Sequence, residues 1–177
     1  MNIDPLLIPA AAELEAAEIL WPYLTAADLA HARELHDRHL MPADQFADVR
    51  AKLKELSKVS LSFLNAAAGD LFDNRQAWLK NPCHGGTGWM SQGRARREAV
   101  TLAFHMKVRE DFVRLQLNLG AMIAAFNQSA MEHLNTQTPD FTYLLPAQPT
   151  TWAHYLCGLC APLLRYAERG REIFARL

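Results

Sequence analysis

The sequence predicts an all-α fold: a small N-terminal helical region followed by a long antiparallel helix pair that belongs to an oligomeric helical bundle. Three observations lead there. No stretch of the 177 residues shows sustained period-two alternation, so strands are at most minor. Residues 94–135 contain no proline and one glycine, Gly120. Residues 115–131 carry no charge, as expected of a helix buried on all sides.

The N-terminal region, 1–93, reads as short helices with punctuated joints. Residues 9–20 are rich in Ala, Glu and Leu, and Pro22 is expected to end that helix. Thr25 is the expected N-cap of a helix to about His39, with Leu29, Ala32, Leu35 and His36 on one face. Pro42 marks a helix start, followed by Phe46, Val49, Leu53 and Leu56 at three- and four-residue spacing. Residues 60–79 continue in helical pattern with Leu61, Leu64, Leu71, Phe72 and Trp78. Three glycines and a proline within residues 81–88 then make a loop.

The second region, 94–177, is the helix pair. At 1.5 Å per residue a helix of roughly 40 residues runs about 60 Å. A compact globule of this chain length is only about 40 Å across. After a non-helical connection at 135–147, a second helix is expected over about 149–177, uncharged until Arg165. Two antiparallel helices cover one face of each other and no more, so other chains are expected to cover the rest.

Composition narrows the function classes. Half of the residues are hydrophobic and the formal net charge is -1, which excludes disorder. With 18 basic against 19 acidic residues there is no global field to attract nucleic acid. Cys83, Cys157 and Cys160 are too few and too unevenly spaced for a disulfide framework. Residues 141–164 carry no charge, yet His154 and the prolines at 146, 149 and 162 make membrane insertion costly. No basic segment followed by an apolar one opens the chain, and the expected location is the cytoplasm.

Candidate chemistry is sparse. Cys157 and Cys160 have redox or zinc spacing but sit in an apolar helix, where packing is the favoured role. Cys83-His84 has no matching ligand pair, and no metal site is expected. His31, His36 and His39 read as solvated or capping groups. The segment Gly93-Arg94-Ala95-Arg96-Arg97-Glu98 places three arginines at a helix N-terminus, where guanidinium forks and unpaired N–H groups suit a carboxylate or phosphate. Residues 138–149, Thr138-Pro139-Asp140-Phe141-Thr142-Tyr143-Leu144-Leu145-Pro146-Ala147-Gln148-Pro149, hold hydroxyl and amide groups between prolines and carry no charge after Asp140, a setting suited to orienting a small substrate, with structural turn chemistry as the alternative.

Taken in order, these segments resemble the argininosuccinate lyase branch of the fumarase/aspartase superfamily. Ala30-His31-Ala32, with Leu35 and Met41-Pro42-Ala43-Asp44, is similar to that family's N-terminal Ala-His segment. The arginine segment resembles its Gly-Arg-Ser-Arg-Asn-Asp motif, and residues 142–149 resemble its Thr-His-Leu-Gln-x-Ala-Gln-Pro motif. The resemblance implies a tetrameric helical bundle and β-elimination: a base removes a proton beside a carboxylate, a C–N bond breaks, and fumarate leaves. It implies no cofactor and no metal, and active sites assembled from several subunits.

By that resemblance Arg94, Arg96 and Arg97 hold substrate carboxylates, Thr142 and Gln148 orient the fumaryl portion, and Tyr143 acts as a phenolic acid toward the leaving nitrogen. Several positions depart from the family. Ser91-Gln92 stands for His-Thr, Ala95, Arg97 and Glu98 for Ser, Asn and Asp, Tyr143 for the catalytic-pair histidine, and Gly69-Asp70-Leu71-Phe72 for Glu-Asp-x-His. The family's Gly-Ser-Ser-x-Met-Pro-x-Lys-x-Asn loop, which carries the serine taken as base, lies beyond residue 177. The expected partners are therefore a small dicarboxylate or amino-acid-derived substrate, and either further copies or a polypeptide supplying the C-terminal lyase half. The alternative is a non-catalytic relative with a structural, regulatory or binding role.

Overall fold

Apolar residues at helical spacing dominate the chain, and the computed structural model is accordingly helical. It describes residues 8–81 and 88–177. The Cys83-His84 pair lies outside the described residues. Among those described there are six α-helices: α1 (Ile8–Glu15), α2 (Ala17–Asp37), α3 (Ala43–Leu56), α4 (Leu71–Lys80), α5 (Arg96–Glu132) and α6 (Trp152–Phe174). A two-stranded antiparallel hairpin, β1 (Gln137–Thr142) and β2 (Leu145–Thr151), stands between α5 and α6. The all-α class holds, and the expected non-helical connection is this hairpin. The chain divides into two compact units, residues 1–107 and 108–177, with the division inside α5.

The first unit has a core of Leu20, Trp21, Leu24, Val49, Leu53, Leu56, Leu71 and Leu79, all buried. Three expectations are corrected here. Pro22 does not end a helix, because the break falls earlier, at Ala16, and the proline lies inside α2. An interior proline costs about 3 kcal/mol, which burial of its neighbours Trp21 and Leu24 offsets at about 1.5–3 kcal/mol per large side chain. Thr25 is no N-cap: it lies mid-helix, and its hydroxyl donates back to the Trp21 carbonyl at 3.1 Å. Residues 60–79 are not one helix but two 3-10 turns, Leu61–Phe63 and Ala66–Ala68, followed by α4.

Local chemistry explains the joints. The end of α2 is closed by His39 at φ 59, with Leu40 N–H reaching back to the Leu35 carbonyl at 2.9 Å and His39 N–H to His36. Pro42 does open α3, as the N-cap residue. Asn74 ties the 65–70 loop onto α4: its side-chain amide donates to the Asn65, Gly69 and Asp70 carbonyls, and its oxygen accepts from Asn65 N–H. Gly69 sits at φ 112, where a Cβ would run into the Asp73 carboxylate, so no other residue fits without strain.

In the second unit the later part of α5 runs antiparallel to α6. Phe112 stacks on Phe174 at 6.4 Å, Arg109 lies 4.5 Å over the same ring, and Gly170 lets the Gln116 side chain approach. Ala130, Ala153 and Leu156 form a small core with Phe126 at the other end. Thr151 caps α6 by accepting the His154 N–H. Leu115, Leu117, Met122, Met131, Leu159 and Ile173 stay exposed, Leu117 at 68%. The uncharged stretch that the sequence marks for burial is thus left uncovered in the single chain.

Leu56 is fully buried, and its carbonyl accepts the Trp21 indole N–H at 3.2 Å. Leu56→Ala is expected to lower unfolding free energy by about 2–5 kcal/mol in urea titrations.

Candidate active site

The segment entering α5 is fixed by a buried carboxylate on α2. Asp28 accepts from Arg75 Nε at 3.0 Å and Nη2 at 2.6 Å, and from Arg94 Nη2 at 2.5 Å. The side chains of Arg75 and Arg94 are 2% and 7% exposed. Arg75 lies 4.4 Å over the Trp21 ring and Arg94 5.5 Å over Phe72, so each cation has an aromatic face as well as a carboxylate. Burial lowers the Arg75 guanidinium from its ordinary range, and Asp28 opposes that shift. Among the described residues Arg75 Nη1 and Arg94 Nε have no acceptor.

The other two arginines differ in kind. Arg96 bridges to the start of α4, with Nη1 on Asp73 at 2.9 Å and Nε 3.3 Å from Asp70. Asp70 also caps α4 by accepting Asp73 N–H, while Glu13 accepts Leu71 N–H at 3.1 Å. Arg97 is exposed, and no hydrogen bond or ion pair engages it among the described residues. Glu13, Asp70, Arg96 and Arg97 line a cleft of about 370 Å³. Burial, then the Asp70 charge, raises the Glu13 carboxyl above its ordinary value of 4.5. At the start of α5 Glu98 accepts Ala95 N–H, but Ala95 has no side chain to return the bond, leaving half a capping box.

His31 joins this cluster. Its Nε2 meets the Gln92 carbonyl at 2.9 Å, just before Gly93 and Arg94. Burial, then the Arg94 charge, lowers its pKa, while Gln92, Asp28 and Glu98 oppose the shift.

Thr142, Tyr143 and Gln148 lie together on the hairpin of the second unit. Thr142 pairs with Leu145, and the two turn residues, Tyr143 and Leu144, have φ of 51 and 65. That is a type I′ turn, normally made by Asn or Gly, and here its tip is 96% and 93% exposed. The register shifts between Pro139 and Phe141, so that Ala147 and Gln148 together face Asp140. Such a bulge re-aims the side chains it carries. Gln148 also lines an open groove of about 420 Å³ on the hairpin with Gln137 and Thr138.

The structure therefore brings Arg94, Arg96 and Arg97 together in the first unit and Thr142, Tyr143 and Gln148 together in the second. Sequence reasoning missed Asp28, Glu13, Asp73 and Arg75. Asp28 stands one helical turn before His31 and was readable from that spacing; Arg75 carries no local signal. Cys160 is buried and Cys157 exposed, both as free thiols. Among the described residues no three His, Cys, Asp or Glu side chains group as a metal site, and no helix is long and apolar enough to cross a membrane.

Comparison with known proteins decides the family, since the profile described as Lyase matches residues 81–177. The chain belongs to the lyase family of the fumarase/aspartase superfamily. Among lyase relatives, argininosuccinate lyase of Methanosarcina acetivorans is 27% identical over 175 residues, 98% of this chain and 36% of its own length. That of Methanothrix thermoacetophila is 30% identical over 150 residues, 85% of this chain and 31% of its own. The chain thus spans about a third of the length of these lyases and matches their N-terminal portion. An EDDS lyase variant with bound fumarate shares the fold at TM-score 0.80 and 22% identity, covering 99% of this chain and 36% of that one. The β-carboxy-cis,cis-muconate cycloisomerase of Acinetobacter calcoaceticus does so at 0.77 and 19%, covering 89% and 38%.

Two outcomes test the geometry of this lyase segment. Asp28→Asn leaves two buried guanidinium groups without their carboxylate and is expected to cost about 3–5 kcal/mol in chemical denaturation. Glu13 holds its proton more tightly in the folded than in the unfolded chain. Its ionised form therefore costs stability as pH rises through the raised pKa. Relative to Glu13→Gln, the wild type is expected to lose stability from about pH 4.5 upward, read from urea midpoints across pH.

Proposed function

We propose that this chain is the N-terminal part of an argininosuccinate lyase-like carbon–nitrogen lyase acting in the cytoplasm. It cleaves an N-substituted aspartate to fumarate and an amine by β-elimination, once further copies and a polypeptide carrying the C-terminal half complete its sites. The observation that carries this reading is the hairpin tip. Two non-glycine residues are held at positive φ, at a cost on the order of 1–3 kcal/mol each, while the Tyr143 ring projects almost fully free of its own chain. Such strain is expected where a side chain must be delivered into a site made with other subunits, as the resemblance to argininosuccinate lyases implies.

The roles follow from what each residue already touches. Arg97 makes no hydrogen bond or close ion pair among the described residues, its charge acts on the Glu13 carboxylate across the cleft they share, and it is placed to meet a substrate carboxylate there. Arg94 and Arg96, ion-paired to Asp28 and to Asp70 and Asp73, order the segment and add positive potential. Thr142 and Gln148 orient the fumaryl portion. Tyr143 donates a proton to the nitrogen as the C–N bond breaks, although a phenol donates less readily than an imidazolium at neutral pH. A variant of EDDS lyase with the same fold has fumarate bound, which supports fumarate as a ligand of the completed site proposed here.

The second reading, a non-catalytic relative, is favoured by those same ion pairs, since two of three motif arginines are already engaged. Fumarate absorbance separates the two. The chain mixed with a polypeptide carrying the Gly-Ser-Ser-x-Met-Pro loop is expected to release fumarate from argininosuccinate or a related N-substituted aspartate. Tyr143→Phe is expected to reduce that rate about 10²–10⁴-fold. Absence of fumarate in every pairing favours the non-catalytic reading. Light scattering should show an oligomer, and a stable monomer would contradict the assembly.

A further inference from the structure

The outer faces of α2 and α3 leave a groove between them that the lyase reading does not use. Residues one turn apart on a helix share a face, and on α3 two of them, Ala47 and Ala51, are alanines. Beside their short side chains lies a hollow of about 610 Å³, lined also by Leu29 of α2 and by Leu53. A second hollow of about 460 Å³ shares Thr25 and Ser57 with the first and continues along α2 to Trp21 and Pro22. Small-molecule sites occupy roughly 300–1,000 Å³ and are lined by apolar groups with a few placed charges. This groove has that size and that lining.

Its positive charge is gathered at one end. Arg50 and Lys54, also one turn apart on α3, line the first hollow. Neither side chain makes a hydrogen bond or ion pair among the described residues, whereas Lys52 between them pairs with Glu55 at 3.2 Å. Like charges at this spacing destabilise a helix, so an anion held between them relieves a cost. More positive charge lies behind Thr25, which lines both hollows and accepts from Arg75 Nη2 at 3.3 Å. Arg75 and Arg94 together outnumber their shared Asp28 by one charge. The acid of the groove, Glu18, lines the second hollow, away from the two cations.

We propose that this groove binds a medium-chain fatty carboxylate, with its head group between Arg50 and Lys54 and its chain running past Thr25 toward Trp21. Side chains one turn apart stand about 5–6 Å apart at Cβ, a spacing that closes on one carboxylate and not on a row of charges. The Arg50 fork matches a carboxylate in shape. Beyond the head the occupant must be uncharged, because Glu18 repels an anion there. That requirement argues against an acidic peptide helix laid along the groove. The site lies within the first unit and uses none of the residues given roles in fumarate release, so it is independent of the lyase reading.

Two-dimensional amide NMR of the full chain, titrated with sodium decanoate below its micelle concentration, tests the site. Saturable shifts are expected in residues 47–57 and in the Trp21 indole N–H. Arg50→Gln combined with Lys54→Gln is expected to weaken binding about tenfold, the worth of two exposed ion pairs. Ala51→Phe fills the hollow from an exposed helix position and should abolish those shifts while keeping the urea midpoint. The absence of saturable shifts, or shifts confined to the exposed apolar residues of α5 and α6, overturns the proposal. Unchanged affinity in the paired variant, or equal binding of decyltrimethylammonium, overturns it too, since the head group then goes unread. Displacement of decanoate by a lower concentration of an acidic amphipathic peptide would make the groove a peptide site instead. Shifts in residues 47–57 that follow protein concentration alone would make a second copy the occupant, against the proposal.

Discussion

The carboxylate of Asp28, shared by Arg75 and Arg94, organises the first unit. It joins α2 to α4 through Arg75, and joins both to the segment entering α5 through Arg94. Three charges are taken out of water together with a surplus of one positive charge. Desolvation on that scale is repaid only by close geometry and additional partners. Here those partners are the Thr25 hydroxyl, which accepts from Arg75 at 3.3 Å, and the faces of Trp21 and Phe72. Thr25 lies in mid-helix, where its hydroxyl donates to the Trp21 carbonyl and accepts from Arg75 instead of capping a helix.

That constraint divides the arginine segment into parts with separate duties. Arg94 faces inward and holds the backbone, and Gly93 at φ 66 turns the chain so that it can. Arg96 braces the start of α5 against the capped start of α4. Arg97, exposed, faces the cleft it shares with Glu13 and makes no hydrogen bond among the described residues. His31 ties α2 to the backbone just before the segment through its Nε2 and the Gln92 carbonyl at 2.9 Å, so that backbone is held on both sides. In the second unit the same economy appears as strain. The hairpin carries Pro139, Pro146 and Pro149, which cannot donate to a ladder, and its turn lacks the glycine or asparagine that type I′ geometry favours. What it gains is an outward Tyr143 and a bulge that re-aims Gln148.

Much of this was legible in the sequence where a local rule decided the outcome. The length of α5 followed from residues 94–135 lacking proline, and Pro42 marked α3. The arginine and Ala-Gln-Pro segments located both groups of candidate residues. The rest was set by tertiary contact. Pro22 is tolerated because Trp21 and Leu24 are buried on either side of it. The helix expected over 60–79 gave way to turns because Asn74 captures the carbonyls and amide of the 65–70 loop. The hairpin was invisible because three prolines and an uncharged run mask alternation. Arg75 was missed because nothing near it in sequence announces a partner forty-seven residues away.

Asp28 clamps Arg94 instead of leaving it free for a ligand, and a double-mutant cycle measures that clamp. Asp28→Asn, Arg94→Gln and the double variant, compared by urea unfolding, should show a coupling of about 0.5–3 kcal/mol between the two positions. Costs that add within about 0.3–0.5 kcal/mol would mean that the two side chains do not hold each other and that the clamp is absent.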